Sequence, residues 1–68
     1  MAQISKAFRL KIESSINDRP LEEGEYRRID SAGSHYISMR PEHRGQKHFF
    51  SLFINQVRYY IFKETSDV

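Results

Sequence analysis

Residues 48–63 have apolar or aromatic side chains at ten of their sixteen positions, and they predict a β-hairpin that is apolar on both faces. Aromatic and β-branched residues dominate the segment, and Asn55-Gln56 at its centre suits a two-residue turn, because asparagine tolerates left-handed backbone. Such a turn fixes the register of the two strands. One face then carries the pairs Ile54–Val57, Leu52–Tyr59 and Phe50–Ile61, and the other carries Phe53–Arg58, Ser51–Tyr60 and Phe49–Phe62.

The size of the chain limits how it can be stabilised. Its 68 residues are predicted to form a single domain, 1–68, with frayed tails at about 1–3 and 64–68. A domain this small buries only about 60% of the surface exposed by its unfolded chain, and it often needs a disulfide, a metal or a second subunit. The sequence has no cysteine, which closes the disulfide route and favours a homodimer.

The N-terminal segment fits two kinds of secondary structure. Apolar and polar residues alternate from Ile4 to Ile16, which favours a half-buried strand. Ile4, Phe8, Ile12 and Ile16 also recur at every fourth position, as on one side of a helix. Leu10 fits the strand and lies off the helical stripe, so the alternation favours a strand, with a helix as the alternative.

The middle of the chain predicts short strands at 25–29 and 35–39, joined by a loop in which Gly33 can take a positive φ. The predicted fold is therefore mainly β: an antiparallel sheet curled into a four- or five-stranded barrel or half-barrel, or an α+β fold if the N-terminal segment is helical. The order of elements resembles that of small barrels of the oligonucleotide-binding or Src-homology kind. This resemblance is architectural and implies no functional residues.

Charge is distributed unevenly along the sequence. The net charge is only +2, and acidic and basic residues balance in residues 1–34. Residues 35–63 contain five cations, one acid (Glu42) and all three histidines. The most basic segment is residues 40–48, called here the basic loop, and it precedes the aromatic hairpin directly.

The second face of the hairpin is the candidate functional surface. Four aromatic side chains clustered on one exposed face would need an explanation. That face could be a second core covered by the chain itself, a homodimer interface, or a platform that stacks single-stranded bases. The residues predicted to bind a nucleic acid or a partner protein are Arg40, Arg44, Lys47, Phe49, Phe53, Arg58, Tyr60 and Phe62.

Two classes of function follow from this surface. The first is a small nucleic-acid-binding accessory protein, in which cations contact phosphates and aromatic rings stack on bases. The second is a protein-binding module, such as a phage- or plasmid-type inhibitor or adaptor, whose aromatic patch inserts into a partner while the basic loop is attracted to an acidic surface.

Other functions have little support in the sequence. The spacing of His35, His43 and His48 matches no metal site, and the serines around His35 come with no sign of an oxyanion hole. We therefore expect no enzymatic activity, no metal and no cofactor. No apolar run is long enough for a membrane helix and no signal peptide is recognisable, so the sequence predicts a cytoplasmic protein without membrane contact.

Overall fold

The computed structural model describes residues 5–30 and 34–63, which form an α+β fold. Its elements are α1 (Lys6–Asp18), β1 (Arg27–Asp30), β2 (His35–Ser38), a single 3-10 turn (His43–Gly45), β3 (Phe50–Ile54) and β4 (Val57–Lys63). The strands form one antiparallel sheet in the order β1-β2-β4-β3. Gly33 and the tails predicted at 1–3 and 64–68 lie outside the described residues.

The strand predicted for the N-terminal segment is wrong, because this segment forms helix α1. Ser5 caps the helix, and its hydroxyl accepts a hydrogen bond from the backbone N–H of Phe8 at 3.1 Å. Ile12 and Ile16 are buried against the sheet, whereas Leu10 is 58% exposed. The recurrence of apolar residues at every fourth position therefore indicates the correct structure, a helix, and Leu10 lies on the side of this helix that is exposed.

Arg27 joins the C-terminal end of α1 to the sheet. Its Nη1 donates to the carbonyl oxygen of Arg19 at 2.8 Å and to that of Ser15 at 3.1 Å, which also accepts the backbone N–H of Arg19. Its Nε donates to the carboxylate of Glu25 at 2.8 Å. A cation at this end of a helix is also favoured by the helix dipole. One half-buried guanidinium thus fixes the end of α1 against β1.

The C-terminal hairpin agrees with the sequence prediction at every pair but the last. Asn55 and Gln56 have φ values of 51° and 65°, as a type I′ turn requires, and the five pairs from Ile54–Val57 to Phe50–Ile61 are confirmed. Phe49 does not pair with Phe62. Its N–H donates to the carbonyl of Ile61 at 2.7 Å, so two residues oppose Ile61, as in a β-bulge.

The bulge changes the direction of the Phe49 side chain. Its ring centroid lies 6.5 Å from that of His35 and 6.2 Å from that of Phe50, two residues that alternation places on the side of the sheet facing α1. Phe49 is 61% exposed at this margin. The prediction that it shares a face with Phe53, Tyr60 and Phe62 is therefore wrong.

The two faces of the sheet differ in what covers them. The face that packs on α1, called here the helix face, contributes Ile37, Ile54, Tyr59 and Ile61 to a core completed by Ile12, Ile16 and Leu21. This is the face predicted to be core from the hairpin register. The opposite face, called here the outer face, carries Tyr36, Ser38, Ser51, Phe53, Arg58, Tyr60 and Phe62.

The sheet has β1 and β3 at its edges and is not closed, so the predicted barrel is not confirmed.

Candidate functional site

One end of the outer face is closed by the basic loop. Tyr26 lies between Tyr36, at a ring-centroid distance of 4.6 Å and an angle of 8°, and His43, at 4.7 Å and 21°. Phe62 lies 5.5 Å from the same ring and is fully buried. These four residues, called here the closed cluster, form a second small core made by the chain itself.

Polar contacts hold the basic loop over the closed cluster. The Tyr26 hydroxyl donates to Oε1 of Gln46 at 3.0 Å, and Nε2 of Gln46 donates to the carbonyl of Lys63 at 2.8 Å. The hydroxyl of Ser38, which is fully buried, lies 2.8 Å from Nδ1 of His43 and accepts the backbone N–H of Arg40 at 3.1 Å. The loop is thus anchored to both β2 and β4.

His43 is placed where a positive charge is unfavourable. Burial lowers the pKa of its imidazole, and the charges of Arg40 and Arg44 lower it further. The guanidinium carbon of Arg44 lies 4.7 Å from the ring centroid of Tyr26. His43 and Arg44 therefore contact the same aromatic ring.

The rest of the outer face is open. Phe53 is 58% exposed, and the guanidinium carbon of Arg58 lies 5.6 Å from the centroid of its ring. Tyr60 follows on the same face and is half-buried, and the exposed ring of His48 meets it edge-on at 4.9 Å. Phe53, Tyr60 and His48 are called here the open row. It runs from the hairpin edge of the sheet to the margin of the closed cluster.

Cations around the open row lack acidic partners. Arg40, Arg44, Lys47 and Arg58 are exposed, and within residues 5–30 and 34–63 none of them forms an ion pair. On the other side of the molecule Arg9 pairs with Glu13 at 2.9 Å, and Arg19 and Arg27 both pair with Glu25. Arg58 beside the open row and three cations of the basic loop therefore remain without an acidic partner among the described residues, as do the exposed Lys6 and Lys11 on α1.

The structure does not bring the eight predicted site residues together. Phe53, Arg58 and Tyr60 lie in or beside the open row. Arg40, Arg44 and Lys47 are exposed on the basic loop, where Arg44 lies over Tyr26 and Nη2 of Arg40 lies beside Gly24. Phe62 is buried under the basic loop, and Phe49 lies toward the helix face. Tyr26, Tyr36, Ser38 and His43, which build the closed cluster and its anchor, are absent from the predicted set. Their contacts depend on the pairing of β2 with β4, which no local pattern specifies.

The described residues show no sign of a metal centre or of a membrane span. Residues 5–30 and 34–63 contain no group of three side chains suited to hold a metal ion. The helix found in this part of the chain is too short and too polar to cross a lipid bilayer.

Comparison with known proteins gives no relative from which function could be transferred. No protein-family model matches the chain, and neither a curated protein nor a solved structure is significantly similar to it. A function has to follow from the geometry and charge of the site itself.

Proposed function

We propose that this protein is a non-enzymatic binder of single-stranded nucleic acid, in which bases stack on the open row and the unpaired cations contact phosphates. The observation that carries the proposal is the exposed ring of Phe53, 58% accessible, beside Arg58, which forms no ion pair with any residue of 5–30 and 34–63. Aromatic rings on a sheet bordered by cations form a common platform for unpaired bases.

The geometry favours single strands because a base can stack on Phe53 only if its own face is free. The ring of Phe53 is more than half exposed at the hairpin edge, and the guanidinium carbon of Arg58 lies 5.6 Å from its centroid. Tyr60 and His48 continue the aromatic surface toward the basic loop, where Arg44 and Lys47 are exposed. A strand that follows the open row would place its phosphates beside these cations. A cytoplasmic location is part of this proposal.

Binding of fluorescently labelled single-stranded DNA and RNA, followed by anisotropy over a range of salt concentrations, tests the proposal. If all four cations contact phosphates, the logarithm of the binding constant should fall with the logarithm of salt concentration with a slope of about −3. Absence of binding to any single-stranded oligonucleotide at low salt, or equal affinity for a duplex of the same sequence, would contradict the proposal.

A matched pair of variants tests the open row itself. Phe53→Ala should weaken binding by about 1–3 kcal/mol, the value of one base–aromatic stack. Phe49→Ala is the control, because Phe49 is the same residue type, equally exposed, and lies away from the open row. An equal loss of affinity in both variants would show that the open row is not the binding surface.

The second candidate function is a protein-binding inhibitor or adaptor that uses the same surface. An exposed aromatic ring beside an arginine, as in Phe53 and Arg58, is typical of the residues that dominate protein interfaces. In this case Phe53→Ala should abolish capture of a partner protein without unfolding the domain, and the purified protein should bind no oligonucleotide.

A further inference from the structure

The two edges of the sheet are protected to very different degrees. Edge β1 has the sequence Arg-Arg-Ile-Asp, and its pairing with β2 is irregular between Arg28 and Asp30. Charges and irregular pairing are the usual features that prevent an edge from adding another strand. Edge β3 has the sequence Phe-Ser-Leu-Phe-Ile, without a charge or a proline, and pairs regularly from Ser51 to Ile54, with the bulge confined to its Phe50 end.

The turn determines which backbone groups of β3 point outward. In a hairpin with a two-residue turn, the flanking residues Ile54 and Val57 form a hydrogen-bonded pair, and such pairs alternate along the ladder. Phe53 and Ser51 therefore occupy the intervening positions, and their N–H and C=O groups point away from β4. Within the described residues, no strand lies on that side.

We propose that a second copy of this chain pairs antiparallel with β3, with the two-fold axis at Leu52. This register places Ser51 of each copy opposite Phe53 of the other, so four backbone hydrogen bonds form between the groups that point outward. It also places Phe50 opposite Ile54 and Leu52 opposite its own symmetry mate. Every cross-strand pair is then uncharged, and the edge is complementary to itself.

The positive charge of the outer face makes this pairing depend on salt. Arg58 lies on β4, but its guanidinium reaches over β3, with Nη1 3.4 Å from Oγ of Ser51 and the guanidinium carbon 5.6 Å from the ring centroid of Phe53. The two guanidinium groups would therefore approach each other across the interface and repel. Salt screens repulsion between exposed charges, so we expect the dimer to be more stable at physiological salt than at low salt.

The dimer would join the two sheets into one sheet of eight strands. Both helices would lie on the same side, and both outer faces on the other. Phe53 of each copy would lie next to the two-fold axis, so that the two open rows continue into each other across the interface. This consequence for binding depends on the proposed function, whereas the pairing of the edges does not.

The solution mass, measured by sedimentation equilibrium without nucleic acid, tests the pairing. We expect a concentration-dependent rise from the chain mass of 8.1 kDa to twice that value. Ser51→Lys combined with Phe53→Lys would place like charges opposite each other twice, and this variant should stay monomeric. Ser51→Lys combined with Phe53→Glu would place opposite charges in the same positions and should still dimerise.

Three results would overturn the inference: a monomeric wild-type protein up to millimolar concentration, a double-lysine variant that dimerises like the wild type, or loss of dimerisation in both variants. If the double-lysine variant is unfolded by circular dichroism, Ser51→Pro gives the same test. Its lost N–H points away from β4, and proline is tolerated at such edge positions. A dimer that binds no oligonucleotide would contradict the proposed function alone, and a monomer that binds would contradict the pairing alone.

Discussion

The hydroxyl oxygen of Ser38 lies 2.8 Å from Nδ1 of His43, and this contact fastens the basic loop to the sheet. Ser38 is fully buried on β2, and its oxygen also accepts the N–H of Arg40. Because that bond uses the serine as an acceptor, its own hydrogen can be donated to a neutral imidazole. The position of the loop over Tyr26 and Phe62 thus depends on this buried hydroxyl as well as on the two hydrogen bonds of Gln46.

Ser38→Ala should lower the free energy of unfolding by about 1–3 kcal/mol, because it leaves the Arg40 N–H and the His43 nitrogen without this partner. Urea unfolding measures the loss. Ser51→Ala is the control: within the described residues its hydroxyl accepts a single long hydrogen bond, from Arg58 at 3.4 Å, so the substitution should change stability by less than about 0.5 kcal/mol. Equal effects of the two substitutions would show that the hydroxyl does not anchor the loop.

Acidification should destabilise the fold through His43. The pKa of His43 is lower in the folded protein than its ordinary value of 6.5, so the unfolded chain binds this proton first as the pH falls. The contribution of the neutral imidazole to stability is therefore complete above pH 6.5 and is lost as the pH falls toward the folded pKa. Titration of the histidine ring resonances by NMR should give a midpoint below 6.5 for His43.

Arg40→Gln should raise that midpoint, because it removes one of the two cations beside the imidazole. The midpoint should still stay below 6.5, since burial is the larger cause of the shift. A midpoint at or above 6.5 in the wild-type protein would be incompatible with the position of His43 described above.

Glu25 should make the free energy of unfolding depend on pH in a second range, between about pH 4.5 and 2. Hydrogen bonds from Arg27, from the Glu22 N–H and from Arg19, together with the charge of Arg27, lower the pKa of its carboxyl from 4.5 to about 2. The stability from the ionised carboxylate is present above pH 4.5 and is lost as the pH falls through about 2. Glu25→Gln should flatten the dependence of the unfolding free energy on pH in this range, whereas Glu23→Gln, at an exposed position, should leave it unchanged. If the unfolding free energy of Glu25→Gln depended on pH as steeply as that of the wild type, the ion pair between Glu25 and Arg27 would not contribute to stability.

Gln56→Gly should stabilise the protein by about 0.5–1 kcal/mol. Gln56 has a φ of 65°, a left-handed backbone conformation that costs a residue with a side chain about 1–2 kcal/mol. Glycine avoids this cost, but the greater flexibility of glycine in the unfolded chain cancels part of the gain. Asn55→Gly is the matched control with a smaller expected gain, because asparagine tolerates this conformation and donates to Asn17 at 3.3 Å. Thermal unfolding of the two variants compares them directly, and a destabilised Gln56→Gly would show that the turn carries no strain.

The sequence was sufficient to predict the parts of this fold that rest on local patterns. The turn at Asn55-Gln56 and the alternation of apolar and polar residues around it predicted the register of the hairpin. The same register predicted which face of the hairpin, the one with Phe50 and Ile61, belongs to the core. The N-terminal segment satisfied both a strand and a helix pattern, and the Ser5 cap and the burial of Ile12 and Ile16 decided for the helix. Two local patterns of similar strength cannot be separated without the tertiary contacts that stabilise one of them.

The candidate site was less predictable, because it depends on contacts between distant residues. Tyr26 meets His43 and Phe62 only because β2 pairs with β4 and the basic loop crosses over them. The bulge at Phe49 leaves no recognisable signal in the sequence. The exposed Phe53 and its neighbour Arg58 were predicted together because a single turn sets their register.

The position of β4 between β2 and β3 has a consequence for synthesis of the protein on the ribosome. Residues 57–63 leave the ribosome after every other strand of the sheet, yet β2 and β3 both need them as a partner. Without β4, β3 has no partner strand and β2 pairs only with β1, so the sheet can form only after residues 57–63 have left the ribosome. A chain truncated before residue 57 would leave Phe50, Leu52 and Phe53 without a partner strand, and such a chain should aggregate.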